Sequence, residues 1–434
     1  MLTLETWMRH EMPLSYRECD GWVRVGTVLR VEPTAVVARI RGVAAGNLIA
    51  IETQRDDIRL AEVRSVSEGE ASCVPIETIR DVTVGANVTA TRAVLGSFCG
   101  QGLLGRCVNA WGGPAHPNCE VVAVHDGPLN LERRRPIQRT IQTGIAAIDA
   151  LCTIGIGQRV ALFSGAGVGK STLLRQIAEH AHCDAHVLAL IGERGREAAE
   201  TVTALRQTPR WARTSIVCAT ADTPPHERLA AARTAIAQAE WLCERGHDVL
   251  LTVDSLTRVA NAWRELALAS GEPPAHRGHP ASMVVKLATI VERAGVRERG
   301  SITGIFAVLV DADDPFEPIT DAVRGLLDGH IVLSRRLADA GRYPPIDVLR
   351  CSSRVMHHIV SKEHLACAAR VRKAIAALER AEDLFAIGAY VRGGDPALDS
   401  AVAQRERIES FLFHERGCQT DAVEKLVQIA GALR

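Results

Sequence analysis

The stretch FSGAGVGKST, residues 163–172, decides how this chain folds and what it binds. The apolar run VALF leads into it, and TLLRQIAEH continues it with helical character. Glycines between a strand and a helix, followed by Lys and a hydroxyl residue, form a loop whose backbone N–H groups wrap phosphates. We therefore expect eight consecutive residues to contact a nucleotide: Gly165, Ala166, Gly167, Val168, Gly169, Lys170, Ser171 and Thr172.

The loop departs from the pattern GxxxxGK[ST] at its first position, where Ser164 replaces glycine. A small L-residue fits there as long as φ stays negative, so the change is expected to be tolerated. In such loops the lysine neutralises phosphate charge, and the Ser or Thr hydroxyl holds Mg²⁺. We assign these roles to Lys170 and Ser171, against the weaker alternative of a glycine turn before a structural helix.

Two acidic residues follow other apolar runs. Asp254 closes VLLTVDS, where an unpaired charge would be expensive, and is predicted to serve the magnesium ion; a helix N-cap is the alternative. Glu193 follows HVLALIG, at the strand end that faces the ligand crevice of open α/β sheets. It is a candidate for positioning the attacking water. From the residues alone, a surface salt-bridge cluster with Arg194, Arg196 and Glu197 is an equal alternative.

Three regions of the chain differ in their pattern of apolar and turn-forming residues. Residues 23–91 contain short runs rich in Val and Ile, broken by Gly, Pro and Asn, which predicts a small β-barrel. Residues 93–350 alternate continuous apolar strands with longer helical stretches, as in a parallel sheet covered on both faces. After Met356 the pattern is helical.

Composition excludes several classes of protein. The 434 residues include 51 basic and 51 acidic side chains, and this zero net charge argues against a general polyanion binder. Twelve cysteines without a CxxC pair indicate free thiols in a reducing compartment. His276 and His279 lack the further ligands of a metal site. Neither a signal peptide nor a long apolar span is found, so we expect a cytoplasmic protein.

An ordered series of motifs resembles a known family. GAGVGKS, IGERGRE, VLLTVDSLTRVANAWRELALASGEPP, GSITGIFAVLV and SSRVM together resemble the ATPases of type III protein secretion systems, relatives of the catalytic subunits of rotary F-type ATPases. The resemblance extends from Gly102 to the final helices. It implies an α/β fold with a RecA-like P-loop ATPase core at residues 92–356. An N-terminal β-barrel domain, 1–91, would precede the core and a C-terminal helical domain, 357–434, would follow it.

The resemblance also implies roles for the site residues, with ATP and Mg²⁺ as ligands. Glu193 would polarise the attacking water and Arg194 would contact the γ-phosphate. Glu197 would support the metal shell, and Asp254 would hold it through water. Tyr343, in RYPPIDV, would pack on the adenine; its alternative is a structural aromatic at a turn.

Arg354, in CSSRVM, resembles the arginine finger that enters the nucleotide site of a neighbouring subunit. Such a residue stabilises charge on the transferring phosphoryl group and is worth roughly 10³–10⁵ in rate. The family assembles as a homohexameric ring, so each site would be completed by the next copy. Residues 276–286 and 311–321 depart from the family pattern, which puts loop geometry and subunit contacts in question more than chemistry.

DSLTR and VRGLLDGH favour the virulence-type, or injectisome, branch; the flagellar export branch is the alternative. Implied partners are a peripheral stator, a central stalk protein, the export gate at the inner membrane and chaperone–effector complexes. A hexameric RNA-dependent motor of the transcription-terminator type is less favoured, because residues 23–91 contain no aromatic residue for base stacking. No nucleic acid partner is therefore expected. A non-catalytic regulatory subunit would lack the phosphate loop or Glu193.

Overall fold

The computed structural model describes residues 25–32, 35–55, 57–76, 81–94, 96–113, 116–123, 130–310, 317–413 and 421–433. The first residues of the predicted barrel and most of the divergent segment 311–321 lie outside this set. No helix among the described residues is long and apolar enough to cross a membrane.

Six antiparallel strands close into the expected barrel, in the order β1-β2-β5-β4-β3-β6. They are β1 Val25–Val31, β2 Val36–Arg39, β3 Asn47–Glu52, β4 Ile58–Ser67, β5 Glu70–Pro75 and β6 Asn87–Val94. Alternate side chains point inward, so aliphatic residues such as Val36, Ile49 and Val63 fill the barrel. The last strand ends three residues beyond the predicted limit at Thr91, and the domain boundaries at 91 and 356 remain predictions.

The central region contains a mainly parallel sheet, in the order β17-β16-β10-β15-β13-β11-β12-β8. Its strands are β8 Arg106–Val108, β10 Arg159–Ser164, β11 Ala185–Ile191, β12 Thr214–Ala219, β13 Asp248–Asp254, β15 Ser301–Leu309, β16 Gly329–Val332 and β17 Ser352–Ser353. The short strand β14 Gly295–Val296 pairs with β15, and β7 Gly96–Gly100 with β9 Cys119–Ala123 forms a separate hairpin. The long strands are buried throughout, which explains their unbroken apolar sequences.

Helices cover this sheet on both faces. They are α1 Ala146–Leu151, α2 Lys170–His180, α3 Gly195–Arg206, α4 Pro225–Glu244, α5 Leu256–Ala269, α6 Ser282–Val291, α7 Pro318–Leu326, α8 Arg335–Asp339 and α9 Met356–Ile359. The predicted departure at residues 276–286 forms a short turn, His276–Gly278, and then most of its remainder enters α6. Helix α7 begins just after the divergent segment, where the Glu317 carboxylate accepts a hydrogen bond from Thr320 N at 2.9 Å.

Helices form the C-terminal part: α10 Lys362–Arg380, α11 Glu382–Ala386, α12 Pro396–Ala403, α13 Arg405–Leu412 and α14 Ala422–Ala432. Their apolar faces join the same hydrophobic core as α1, through residues such as Val371, Phe411 and Leu426. The buried His364 Nε2 donates a hydrogen bond to the carbonyl of Ala150 in α1, at 2.7 Å. The helical part is thus anchored directly on the central sheet.

Strand register brings the functional strands to one edge. Ser164, which ends β10, pairs with Leu309 at the end of β15. Asp254, which ends β13, pairs with Leu190 in β11. Because these strands are parallel, their carboxyl ends open onto a common crevice, the usual ligand site of open α/β sheets.

Candidate active site

The glycines of the phosphate loop carry the turn from β10 into α2. Gly167 and Gly169 adopt φ values of 76° and 96°, which favour glycine, and Gly169 is the residue before the helix. Lys170 is the first helical residue and is buried, whereas Ser171 and Thr172 are exposed beside it. The helix N-terminus therefore presents the loop's backbone N–H groups to the crevice.

The ammonium group of Lys170 lies between two carboxylates. Its Nζ donates to Glu193 Oε1 at 3.0 Å and makes a short contact with Asp254 Oδ1. Asp254 is 3% exposed, at the end of a buried strand. The structure thus brings together three of the residues singled out in the sequence, each located at or shortly after the end of a different strand.

Burial and charge oppose each other at this cluster. Burial acts to lower the pKa of Lys170, but the carboxylates of Asp254 and Glu193 outweigh it and raise this pKa above its usual value. Burial raises the pKa of Asp254, and Glu193 adds to the rise, while Lys170 acts in the opposite direction. Lys170 therefore remains a cation, held ready at the loop.

Glu193 does not end its strand, because β11 stops at Ile191 and Gly192 intervenes with φ 68°. This turn directs the Glu193 carboxylate to Lys170. The Glu193 backbone is tied to the neighbouring strand end, since its carbonyl accepts from Ala221 N at 2.9 Å. Gly192 N donates to the Ala219 carbonyl at 2.7 Å.

Arg194 and Glu197 lie apart from this cluster. Arg194 is exposed, and its Nη1 lies 3.3 Å from Glu197 Oε1 in the first turn of α3. The structure thus contains features of both alternatives given for the GERGRE motif. Glu193 faces the loop, and Arg194 forms a surface ion pair with Glu197.

Tyr343 lies beside the phosphate loop. A Cβ atom added at Gly169 would be 3.7 Å from Tyr343 Cε1 and 3.8 Å from Pro345 Cγ. The Tyr343 side chain is 46% exposed. Its ring is thus accessible next to the loop.

Arg354 lies at the opposite end of the sheet. Its backbone N donates to the Asp328 carbonyl at 2.9 Å, and Asp328 N donates to the Arg159 carbonyl at the start of β10. The loop follows the other end of β10, one strand length or about 17 Å away. The exposed Arg354 side chain therefore does not reach the phosphate loop of its own chain.

Two arginines near the loop were not selected from the sequence. Arg258 in α5 packs against Gly192, where an added Cβ would be 2.9 Å from Arg258 Cβ, and its Nε is buried without a hydrogen-bond partner. Arg335 donates to the Ala166 carbonyl of the loop at 3.0 Å. The sequence signal that could have identified Arg258 is its position four residues after Asp254, in the first turn of a helix. Nothing local marks Arg335 except its SRR context.

The oxygen donors near the loop fit Mg²⁺, which prefers oxygen ligands and keeps several waters around one or two carboxylates. The Ser171 hydroxyl and the Asp254 carboxylate supply such donors at the loop, whereas Glu197 lies in the surface pair with Arg194. Among the described residues no three His, Cys, Asp or Glu side chains form a metal-binding group.

A six-stranded barrel, a parallel sheet with a phosphate loop at its carboxyl edge, and a helical C-terminal part define a P-loop ATPase. The family model "ATP synthase alpha/beta family, nucleotide-binding domain" matches residues 144–353. The model "T3SS EscN ATPase C-terminal domain" matches residues 360–429. The chain belongs to the family of type III secretion and flagellum-specific ATPases, and is an ATPase whose substrate is a nucleotide.

Similar proteins carry names from both branches of this family. The "SPI-2 type 3 secretion system ATPase" of Salmonella typhimurium is 39% identical, over 97% of this chain and 98% of the relative. The "Flagellum-specific ATP synthase" of Treponema pallidum is 40% identical, over 96% of each chain. The solved structure of the assembled ATPase EscN from enteropathogenic E. coli has a TM-score of 0.87 and 38% identity, covering 93% of this chain and all of that one.

Proposed function

We propose that this chain hydrolyses ATP with Mg²⁺ at the subunit interfaces of a homohexameric ring, and that hydrolysis powers chaperone release and unfolding of substrates for type III secretion. The observation that carries the proposal is the Lys170–Glu193–Asp254 cluster at the phosphate loop, with Arg354 at the far end of the same sheet. The injectisome branch is favoured, on DSLTR and VRGLLDGH. Flagellar export is the second candidate, since relatives of similar identity bear that name.

The residues of the cluster have separable roles in this proposal. Lys170 moves its charge from the two carboxylates to the β/γ-phosphates, since these oxygens are its strongest anionic partners when nucleotide is bound. Glu193 is then released to orient the attacking water and to accept its proton. Ser171, Asp254 and Glu197 would hold Mg²⁺, whose chemistry is to neutralise charge on the phosphate oxygens.

Arg194 and Arg354 supply further positive charge. Arg194 is exposed next to Glu193, so its guanidinium is free to turn towards the γ-phosphate at the modest expense of a surface ion pair. Arg354 would act on the site of the neighbouring copy, because about 17 Å of strand separates it from its own loop. Tyr343, exposed beside Gly169, would stack on the adenine.

The partners follow from the family and from exposed surface. EscN has been solved in complex with its central stalk EscO, in a structure 37% identical to this chain with a TM-score of 0.85. We assign a stalk protein, a stator, the export gate and chaperone–effector complexes as partners of this ring. Ile387 and Val391, which are 75% and 74% exposed, offer an apolar contact surface in the C-terminal part. The ring would lie in the cytoplasm, peripherally on the inner membrane.

The proposal is tested by the ATPase rate per subunit as a function of protein concentration, with and without single-stranded RNA. A shared site predicts that specific activity rises with concentration, because dilution separates each loop from the arginine of the next copy. Activity that is independent of concentration would contradict the shared site. ATPase activity that depends on RNA would instead indicate a motor that acts on nucleic acid.

A further inference from the structure

Two cysteines meet at the exposed edge of the central sheet. Cys107 in β8 pairs with Ile216 of β12, and Cys218 lies two residues further along β12. Side chains two apart in a strand share a face, so Cys107 and Cys218 are diagonal neighbours on one face. The two side chains lie close enough for each to shift the pKa of the other.

The pair is open to solvent on one side. Cys107 is exposed and Cys218 is half-buried. Strand β8 has three residues and pairs with β12 alone in the described sheet, so it is an edge strand that can shift towards its partner. Diagonal neighbours have Cα atoms about 7–8 Å apart, beyond the roughly 4.4–6.8 Å that is usual for a disulfide. The bond therefore requires β8 to move towards β12 by about 1 Å.

The two sulfurs differ in their proton affinity. Interaction with the Cys218 thiol lowers the pKa of Cys107, against the effect of burial, and the Arg206 guanidinium lowers this pKa further. The same contact, together with burial, raises the pKa of Cys218. Thiolate therefore forms more readily at the exposed sulfur than at the inner one, which is the arrangement of a reactive cysteine with a resolving partner.

We propose that Cys107 and Cys218 form a peroxide-sensitive dithiol at the sheet edge, a modification site separate from the nucleotide site. The Cys107 thiolate attacks a hydroperoxide, breaks its O–O bond and becomes a sulfenic acid as hydroxide, or alkoxide, leaves. The Cys218 thiol then attacks this sulfur, forming the S–S bond and expelling water. The dithiol has lost two electrons to the peroxide, and an external thiol restores it by exchange.

The modification reaches the catalytic strands through backbone hydrogen bonds. Cys218 is the penultimate residue of β12, and the next residue, Ala219, accepts the hydrogen bond from Gly192 N. Two residues further, Ala221 N donates to the Glu193 carbonyl. A disulfide that draws β12 towards β8 therefore displaces the anchor of Glu193, and displacements of about 1 Å at a catalytic group are enough to reduce turnover severalfold.

The chain contains a matched control for the chemistry. Cys152 and Cys351 also lie near each other, since Cys351 lowers the pKa of Cys152, but they are only 3% and 4% exposed. A reagent in solution reaches the first pair and not the second. Cys183 is a further contrast, since burial raises its pKa to about 11 and leaves it unreactive near neutral pH.

The experiment treats the native full-length chain with hydrogen peroxide, blocks free thiols with N-ethylmaleimide and maps the peptides by mass spectrometry. We expect a crosslinked peptide pair containing Cys107 and Cys218, about 2 Da lighter than the two reduced peptides together. Cys152 and Cys351 should carry the blocking group only after denaturation. Recovery of Cys107 and Cys218 as reduced thiols after peroxide, or preferential oxidation of the buried pair, would overturn the proposal.

Variants separate the two sulfurs. Cys218→Ser should stop at the sulfenic acid of Cys107, trapped with dimedone, and Cys107→Ser should abolish the crosslink. Cys152→Ser should behave as the native chain. ATPase turnover of the crosslinked native protein should fall about twofold or more and recover with dithiothreitol. If the crosslinked protein keeps its full turnover, the disulfide does not act on Glu193. An unchanged melting temperature of Cys107→Ser verifies that this variant folds.

Discussion

Lys170 holds together two carboxylates that would otherwise repel each other in a buried place. It satisfies Glu193 and Asp254 with one ammonium group, so the loop is charged and ordered before any phosphate arrives. In the proposed mechanism this arrangement separates binding from chemistry, because Lys170 would hold the phosphates and Glu193 would position the attacking water.

Glu193→Gln should therefore bind ATP and barely cleave it. The amide keeps the size of the side chain but accepts no proton, and loss of a general base costs about 10²–10⁴ in rate. Phosphate release and binding of a fluorescent nucleotide measure the two properties separately. The control is Glu200→Gln, which should retain full turnover. Glu200 forms an exposed ion pair with Arg196 within α3. Normal turnover in Glu193→Gln would remove Glu193 from its role.

Ser164→Ala should stabilise the protein. The Ser164 hydroxyl is buried and has no hydrogen-bond partner, and such a group costs about 1–3 kcal/mol to bury. Its replacement is expected to raise the free energy of unfolding by about 1 kcal/mol, measured by urea denaturation, with turnover unchanged. A less stable variant would indicate that the hydroxyl is hydrogen-bonded in solution, for example to an ordered water.

Single residues also mark the limit of the sequence reasoning. Lys170, Glu193 and Asp254 were predictable because each follows a recognisable strand. Arg258 and Arg335 were not, because an arginine is ordinarily a surface residue and only the folded chain places these two beside Gly192 and Ala166.

At the scale of elements, the strands were the most predictable part of the fold. A parallel strand covered on both faces must be apolar throughout, so runs such as HVLALI and SITGIFAVL have few alternatives. The edge strands β8 and β17 have only three and two residues and no such apolar signature. They are recognised as strands only by their pairing with β12 and β16. Their positions therefore required the structure.

Strand β11 contains an acid-sensitive residue, His186. Burial lowers its pKa to about 4, and Arg210 acts in the same direction; its Nε2 faces Thr252 Oγ1 at 3.1 Å. In the unfolded chain the imidazole titrates near 6.5, so below that pH the unfolded state binds a proton that the folded state does not. The contribution to stability is complete above pH 6.5 and is lost as pH falls through about 4.

His186→Gln should lack this part of the pH dependence. Between pH 7 and 4 the native chain should lose roughly 3 kcal/mol more stability than the variant, measured from urea midpoints. His182→Gln, at an exposed position of the preceding loop, should follow the native curve. Parallel curves for the native chain and His186→Gln would show that the imidazole is hydrated in the folded protein.

At the scale of the whole molecule, a buried ion pair joins the barrel to the core. Arg233 in α4 lies 3.5 Å from Glu62 of the barrel, and both residues are buried. Trp111 of the core packs against Leu48, Leu60 and Ile76 of the barrel. The family resemblance predicted the three parts in order, but not the contacts between them, since these join residues that are far apart in the sequence.

Mixing two inactive proteins tests the sharing of sites between copies. Lys170→Ala should lack binding, and Arg354→Ala should bind ATP without cleaving it. In a random one-to-one mixture about a quarter of the interfaces pair an intact loop with an intact arginine, so about a quarter of the native rate should return. If Arg354 acts within its own chain, the mixture will stay inactive. A native–Lys170→Ala mixture controls for assembly.

The placement of Lys170 and Arg354 at opposite ends of one sheet has a consequence for the life of the chain before assembly. If sites are shared as proposed, a newly made copy has its phosphate loop at one end of the sheet and Arg354 at the other. Such a copy would bind ATP without cleaving it. Hydrolysis would then begin only when copies assemble, so ATP would be consumed in the assembled ring and not by single copies.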